Sequence, residues 1–304
     1  MKVGIVGVGA VGTSVALSTL QAGVASTLWL NDANADRAAG EALDLAHGGP
    51  FYPACDVQTG TLDDMLGVDA IVIAAGRNGR PSESRLDLLR DNVAIARDLG
   101  VRLQGFAGLV IVVANPVDVL TRVVTEASHL PPARVIGTGT LLDTARLRTS
   151  LGRRLGVDPR SVHAQVVGEH GDSEVVLWSQ TQIGGTPLRR WPGFAIGDEP
   201  VIATEVRTAA YESIRRKGMT NHAIGLATAA LLRWVLRDER RVVTVSRVQE
   251  GALGLRDVAL SLPTIVGRQG ATTVLEPAMD EAERVAVHRS AEILAAAHAS
   301  IAHG

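Results

Sequence analysis

Cysteine is almost absent from this chain. Cys55 stands alone among 304 residues, which excludes an intrachain disulfide and suits a reducing compartment. With no second cysteine and no HExxH or CxxC pattern, a zinc site has no ligand set, and no metal is expected. Aromatic residues make up 3%, too few to build stacking platforms for single-stranded nucleic acid. Lysine occurs only at Lys2 and Lys217, the other basic residues being Arg, and the net charge is −2. No basic block tracks a phosphate backbone, so no nucleic-acid partner is expected. No segment approaches the roughly 18 apolar residues needed to span a bilayer. The apolar run from Val3 is broken by Gly4, Gly7, Gly9 and Gly12 and has no signal-cleavage pattern. These absences describe a soluble, cytoplasmic chain.

What is present is globular. Hydrophobic residues are 46% and charged residues 20%, enough to bury a sizeable core in one large or two ordinary domains. Val3–Val6 reads as a short buried strand, followed at once by Gly7-Val8-Gly9-Ala10-Val11-Gly12 and a helical apolar pattern to Ala22. Strand, three glycines at this spacing and helix make a dinucleotide fingerprint. Gly7 permits the tight turn, Gly9 lets backbone approach the pyrophosphate, and Gly12 lets helix pack on strand. A second strand, Leu28–Leu30, leads to Asp32, which lies 20 residues past Gly12. An acidic residue there can bond both ribose hydroxyls of NAD and would repel the extra phosphate of NADP; the alternative is that Asp32 merely caps the next helix.

Continuous apolar runs at 70–75 and 109–114, with a helical pattern from Arg85 to Leu103 between them and a further strand at Val135-Ile136, predict a doubly wound parallel sheet. Beyond about residue 140 the pattern changes. Leu141–Leu155 is helical, Ser161–Val167 strand-like, and 200–230 mostly helical around Gly218. Val242–Val245 and Val258–Pro263 read as strands, and a long helix starts at Asp280, where Asp280 and Glu283 suit a capping box. The expected fold class is therefore α/β. A Rossmann-type NAD-binding domain over residues 1–140 precedes a mixed α+β substrate domain over 141–304.

The second half carries Gly168-Glu-His-Gly-Asp-Ser-Glu174, with His170 at its centre. Asp143-Thr-Ala-Arg146 and Asn115-Pro-Val-Asp118 complete the set: a proton donor, an anchor for its ring and a clamp for a carboxylate. Taken singly, His170 could be a satisfied turn histidine, Arg146 a helix-surface arginine and Asp143 a helix cap. Their occurrence together, beside a dinucleotide fingerprint, points to catalysis.

With Ala75-Gly76, Glu83-Ser-Arg85-Leu-Asp87-Leu, Gly137-Thr-Gly139 and Leu260–Pro263, these segments in this order resemble the L-lactate/malate dehydrogenase family, nearest to its bacterial L-lactate dehydrogenases. The resemblance implies hydride transfer between NAD and a 2-oxo acid. His170 is then the proton donor and acceptor, Asp143 the group that holds its ring, and Arg146 the bidentate clamp on the substrate carboxylate. Arg85 resembles the loop arginine that swings over substrate and polarises its carbonyl. Asn115 would orient substrate and cofactor, Thr138 would face the carboxamide, and Thr220 matches the pocket threonine of lactate enzymes. Arg148 and His163 match the pair that binds fructose 1,6-bisphosphate at a dimer interface, and the family implies a homotetramer.

One position departs from the pattern. Gly79 stands where lactate enzymes place Gln and malate enzymes Arg, the residue that meets the variable side chain of the substrate. Without an Arg there, malate is disfavoured, although Arg80 is adjacent. With Ala209 and Ala210 small and Asn221-His222 replacing an aromatic pair, the pocket could admit a side chain larger than methyl. The expected activity is NAD-dependent L-lactate dehydrogenase. The alternatives are a dehydrogenase of another 2-hydroxy acid, bulkier or malate, and a non-catalytic NAD-binding protein.

Overall fold

A computed structural model of the chain describes residues 1–77 and 85–302. In the first half, strands and helices alternate: β1 (Lys2–Val6), α1 (Ala10–Gln21), β2 (Thr27–Asn31), α2 (Ala35–His47), β3 (Asp56–Thr59), β4 (Ala70–Ile73), α3 (Arg85–Arg102), β5 (Leu109–Val112), α4 (Val117–Ser128) and β6 (Val135–Gly137). Then come α5 (Leu141–Leu155), the short strands β7 (Val162–His163), β8 (Val166–Val167), β9 (Val175–Val176), β10 (Gln182–Ile183) and β11 (Thr186–Pro187), and helices α6 (Glu199–Lys217) and α7 (His222–Leu236). The chain continues with β12 (Arg241–Glu250), β13 (Arg256–Gly267), β14 (Gly270–Val274) and α8 (Glu281–Ala302).

Strands β3, β2, β1, β4, β5 and β6 pair in parallel in that order. Every residue of β4 and β5 is buried, as apolar strands covered on both faces must be. On one face Val93, Ala96 and Leu99 of α3, Leu120 and Val124 of α4 and Val287, Ala291 and Leu294 of α8 pack onto the sheet. On the other, Val15 and Leu20 of α1 and Leu231, Leu232 and Val235 of α7 do so. The order reverses at β1 and β4, which opens a crevice at the carboxyl ends of the strands, where ligands bind in such sheets.

Of the strands in the second half, β7, β10 and β11 form a small antiparallel sheet and β8 and β9 a two-stranded one, while the three longest join the first sheet. β12 pairs antiparallel with β6 through Ser246 and Gly137, and β13 and β14 follow, so that among the described residues nine strands make one sheet. The antiparallel strands cover what would be an open edge on β6. A separate core of Leu147, Leu151, Val162, Val166, Ile183, Leu188, Ile202 and Val206 holds α5, α6 and the small strands together. The expected capping box is formed: Glu283 N donates to Asp280 Oδ1 at 2.9 Å and Asp280 N to Glu283 Oε2 at 3.1 Å. Gly218, φ +83°, does not sit within one helix but ends α6, a left-handed stop that suits glycine.

Candidate active site

The fingerprint is built as its spacing requires. Gly7 has φ +92° and, with a Cβ, would lie 2.5 Å from Ala75 N; a Cβ on Gly12 would lie 1.8 Å from Gly7 O. These two glycines press β1, β4 and α1 together. Gly9 is different, since a Cβ there would meet nothing within 4 Å. That open space lies at the start of α1, whose first turn carries no side-chain cap and no acidic residue. Free N–H groups and the positive end of the helix therefore face a cradle that suits a pyrophosphate. Ala10 is exposed, Val11 half-buried and Val8 buried.

Asp32 does not cap α2; Asn34 does, its side chain accepting Arg37 N at 3.1 Å. Asp32 instead accepts Val8 N through Oδ2 at 2.9 Å and Asn34 N through Oδ1 at 3.0 Å. Its carboxylate thus sits at the end of β2 against the glycine loop, with lone pairs left for a ribose diol. The residues present fit NAD.

The candidate catalytic cluster is drawn from two elements. α5 presents Asp143 and Arg146 one turn apart on one face. The loop between β8 and β9 presents His170. Its Nδ1 lies 2.5 Å from Asp143 Oδ2, while Arg146 Nη1 donates to Asp143 Oδ1 at 2.7 Å. Asp143 is 2% exposed and the His170 side chain 26%. The carboxylate is buried, and the ring still opens to solvent. Burial is the largest single influence on His170 and lowers its pKa. The hydrogen bond and charge of Asp143, with the charge of Asp118, outweigh burial and the opposing Arg146, so the ring titrates above its ordinary 6.5. With Nδ1 held by the carboxylate, Nε2 is the atom free to carry a proton.

Asp118, in the first turn of α4, joins the candidate site although the sequence alone gives it no role. It is 2% exposed and accepts His170 N at 2.7 Å, fixing the backbone from which the ring projects. Burial pushes it up to about 6, against the lowering influence of Ser246, the His170 N–H and the His170 charge. Ser290 of α8, fully buried, accepts Glu169 N at 2.8 Å, and Gly168 exchanges two 2.9 Å backbone bonds with Ser261 of β13. The histidine loop is thus pinned on three sides by α4, α8 and β13.

Asn92 was also missed. It is 4% exposed on α3, accepts Arg77 N at 2.9 Å and donates to the carbonyls of Arg77 and Asn115, each at 3.3 Å. It therefore ties the Gly76–Arg77 strand exit to the Asn115–Pro116 turn. A polar residue beside Val93 on the apolar face of an amphipathic helix is the signal that marks it.

The other expected residues fall into place unevenly. Ala75 and Gly76 follow β4, directly over the fingerprint, and Asn115 is exposed at the end of β5. Thr138, 3% exposed, lies just past β6. Thr220 is half-buried in the turn between α6 and α7. Arg85 opens α3, its side chain lying outside the described residues, as do Gly79, Arg80 and Glu83. Arg148 Nε donates to the carbonyl of Ala164 at 3.1 Å, one residue along the chain from the exposed His163.

This geometry can be set beside known proteins. Residues 1–137 match the family model for the lactate/malate dehydrogenase NAD-binding domain, and residues 140–303 that for the lactate/malate dehydrogenase alpha/beta C-terminal domain. The chain belongs to the lactate/malate dehydrogenase family. An L-lactate dehydrogenase of Synechococcus sp. (strain JA-3-3Ab) is 45% identical over 300 residues, covering 97% of each chain. One of Bacillus caldotenax is 43% identical over 301 residues, covering 96% of this chain and 95% of its own. The crystal structure of the minor L-lactate dehydrogenase of Enterococcus mundtii in a ligands-bound form superposes with a TM-score of 0.96 at 39% identity. It covers 99% of this chain and 98% of that one. Within the family's architecture the fingerprint half is the NAD-binding domain, and NAD is the cofactor.

Proposed function

We propose that the protein is an NAD-dependent L-lactate dehydrogenase that reduces pyruvate with NADH to L-lactate and runs the reverse reaction. The observation that carries the reading is the shared carboxylate of Asp143, bonded to His170 on one oxygen and to Arg146 on the other. When bound, NADH supplies the hydride. The chain's own groups do the rest. Arg146 grips the substrate carboxylate with the N–H groups that Asp143 leaves free. His170, charged and with Nε2 toward the carbonyl oxygen, gives up its proton as the alcohol forms and takes it back in oxidation. Asp143 stabilises the imidazolium and fixes the ring, and Asp118 holds its backbone. Arg85 would polarise the carbonyl from the edge of the loop, Asn115 and Thr138 would orient substrate and carboxamide, and Thr220 would line the pocket. In this reading residues 1–140 hold the cofactor and 141–304 supply the substrate groups, apart from Asn115 and Arg85.

NADH oxidation against pyruvate, 2-oxoisocaproate and oxaloacetate tests the reading. Pyruvate turnover supports it, and dependence on a bulkier acid alone replaces the substrate. A cavity of about 810 Å³ between α5, α6 and α7 is lined by Arg146 and by the small Ala145, Ala209, Ala223 and Ala227.

The same groove, mostly apolar and flanked by Leu226 at 62% exposure, is a surface that a partner subunit would cover, in keeping with a homotetramer. The Arg148 and His163 pair, duplicated across a twofold axis, would give a four-group cationic site for fructose 1,6-bisphosphate. Among the described residues no helix is long and apolar enough to cross a membrane, consistent with a cytoplasmic enzyme. Activation by the bis-phosphate, and its loss in Arg148→Gln, test the effector site.

A further inference from the structure

Ser290 stands in the middle of α8, on the face where Val287, Ala291 and Leu294 pack onto the sheet. It is fully buried there, a hydroxyl among aliphatic side chains. A serine so placed ordinarily satisfies itself on the carbonyl one turn back in its own helix. This one does not. Among the described residues its Oγ accepts Glu169 N at 2.8 Å and lies 3.1 Å from Ser173 Oγ, within hydrogen-bond distance. Both partners belong to the histidine loop, and they flank His170. Ser173 closes the ring from the other side, its N donating to Glu169 Oε2 at 3.1 Å and its hydroxyl to the same oxygen. The loop backbone presses directly on the serine: a Cβ on Gly168, φ +85°, would lie 2.9 Å from Ser290 Oγ.

Glu169 and Ser173 are thus drawn to one point on α8, and the turn between them carries His170. From another side Asp118 of α4 accepts His170 N at 2.7 Å. The direction in which the side chain leaves this turn decides whether Nδ1 reaches Asp143 Oδ2, which it does at 2.5 Å. We propose that Ser290 is a positioning residue for the reaction: by gathering Glu169 and Ser173 it sets the turn that aims His170 at Asp143. The proposal rests on the reading of His170 as the proton donor. The charged groups around His170 are Asp143 and Arg146 of α5, Asp118 of α4 and Glu174 beside its own loop. Ser290 adds no charge to them. Whatever it does to the titration of the ring, it does through position.

The test is pyruvate-dependent NADH oxidation across pH in Ser290→Ala, with NADH binding measured on the same protein. Ser290→Ala lowers kcat/KM for pyruvate by about tenfold to a hundredfold, the cost of misplacing a reacting group by up to about 1 Å. The loss falls in kcat rather than KM, and NADH binding is unchanged, because neither the Arg146 clamp nor the glycine loop moves. The fall in rate with rising pH, which reports His170, moves to lower pH as the Asp143 contact loosens. Ser290→Cys, which keeps the size but is a weaker acceptor, gives a smaller change in the same direction. In the Asp143→Asn background Ser290→Ala costs little more, since the contact it serves is already gone. A pH profile that stays in place, or an equal loss in both backgrounds, overturns the proposal and leaves Ser290 a structural residue only. If Ser290→Ala does not fold, Ser173→Ala decides alone. It opens the same ring from the loop side, and an unshifted profile there contradicts the proposal. His170→Gln keeps the two failures apart. If that variant still turns over pyruvate, the reading of His170 fails, whatever Ser290→Ala shows.

Discussion

The Nδ1 of His170 lies 2.5 Å from Oδ2 of Asp143, a carboxylate 2% exposed. Burial alone would lower the pKa of the ring; this contact, with the Asp118 charge, reverses the sign. In the proposed mechanism Asp143 is therefore the group that lets His170 be charged when a carbonyl needs a proton.

Replacing Asp143 by Asn should remove that reversal. Pyruvate reduction, which needs His170 protonated, falls as pH rises through the His170 pKa, and lactate oxidation rises through the same value. In Asp143→Asn both limbs move to lower pH, and kcat/KM for pyruvate near neutrality drops by about 10²–10⁴, the usual worth of general acid catalysis. Steady-state rates across pH in both directions check this. An unshifted profile would mean that Asp143 only shapes the fold.

Asp118 and Glu174 should make the protein less stable as pH rises. Each has a folded pKa raised above its ordinary value, to about 6 and about 8. At low pH both folded and unfolded chains hold these protons, and burial carries no ionic cost. Through the window from the ordinary to the raised pKa the unfolded chain ionises first, so stability is lost, and above it the loss is complete. For Asp118 that is about 3 kcal/mol. Asp118→Asn and Glu174→Gln should therefore raise the Tm at pH values above about 8 and change it little near the bottom of the window. Thermal unfolding at both ends measures it.

The three glycines of the fingerprint should separate by effect. A Cβ on Gly12 would lie 1.8 Å from Gly7 O, whereas one on Gly9 would meet no atom within 4 Å. Gly12→Ala should lower the Tm by several degrees or prevent folding, as an overpacked backbone contact does. Gly9→Val should leave the Tm unchanged and weaken NADH binding by about tenfold or more, equal to roughly 1.4 kcal/mol. Unfolding curves and NADH fluorescence titration distinguish the two.

Asp32 anchors the glycine loop and, in the proposed function, would accept a ribose diol, so one substitution should expose both. Its Oδ2 accepts Val8 N at 2.9 Å, so Asp32→Ser loses an anchor for the glycine loop as well as the acceptor for a ribose diol. The preference for NADH over NADPH should narrow by about an order of magnitude or more, since a repelling carboxylate is gone. A small fall in Tm should accompany it. Kinetics with both cofactors read the first effect.

Much of this was visible in the linear chain because local chemistry fixes it. The fingerprint, the buried strands β4 and β5 and the α8 capping box depend on neighbours a few residues away, and the structure forms each of them. Asp143 and Arg146 share a helix face, so their meeting follows from helical spacing. What stayed hidden depends on distant pairing. Nothing local in β12 says that Ser246 will pair with Gly137 and extend the first sheet. Asp118 meets His170 across 52 positions, and Ser290 of α8 meets Glu169 of the histidine loop across 121. Asn92 betrays itself only as a polar residue on an apolar face.

Pyruvate-dependent NADH oxidation, followed against pH in the unaltered protein and in His170→Gln, tests the central claim most directly. The account predicts turnover that declines as pH rises through a pKa above 6.5. It also predicts that His170→Gln loses turnover by about 10³ or more while still binding NADH. No pyruvate-dependent oxidation, or turnover that survives in His170→Gln, would contradict it.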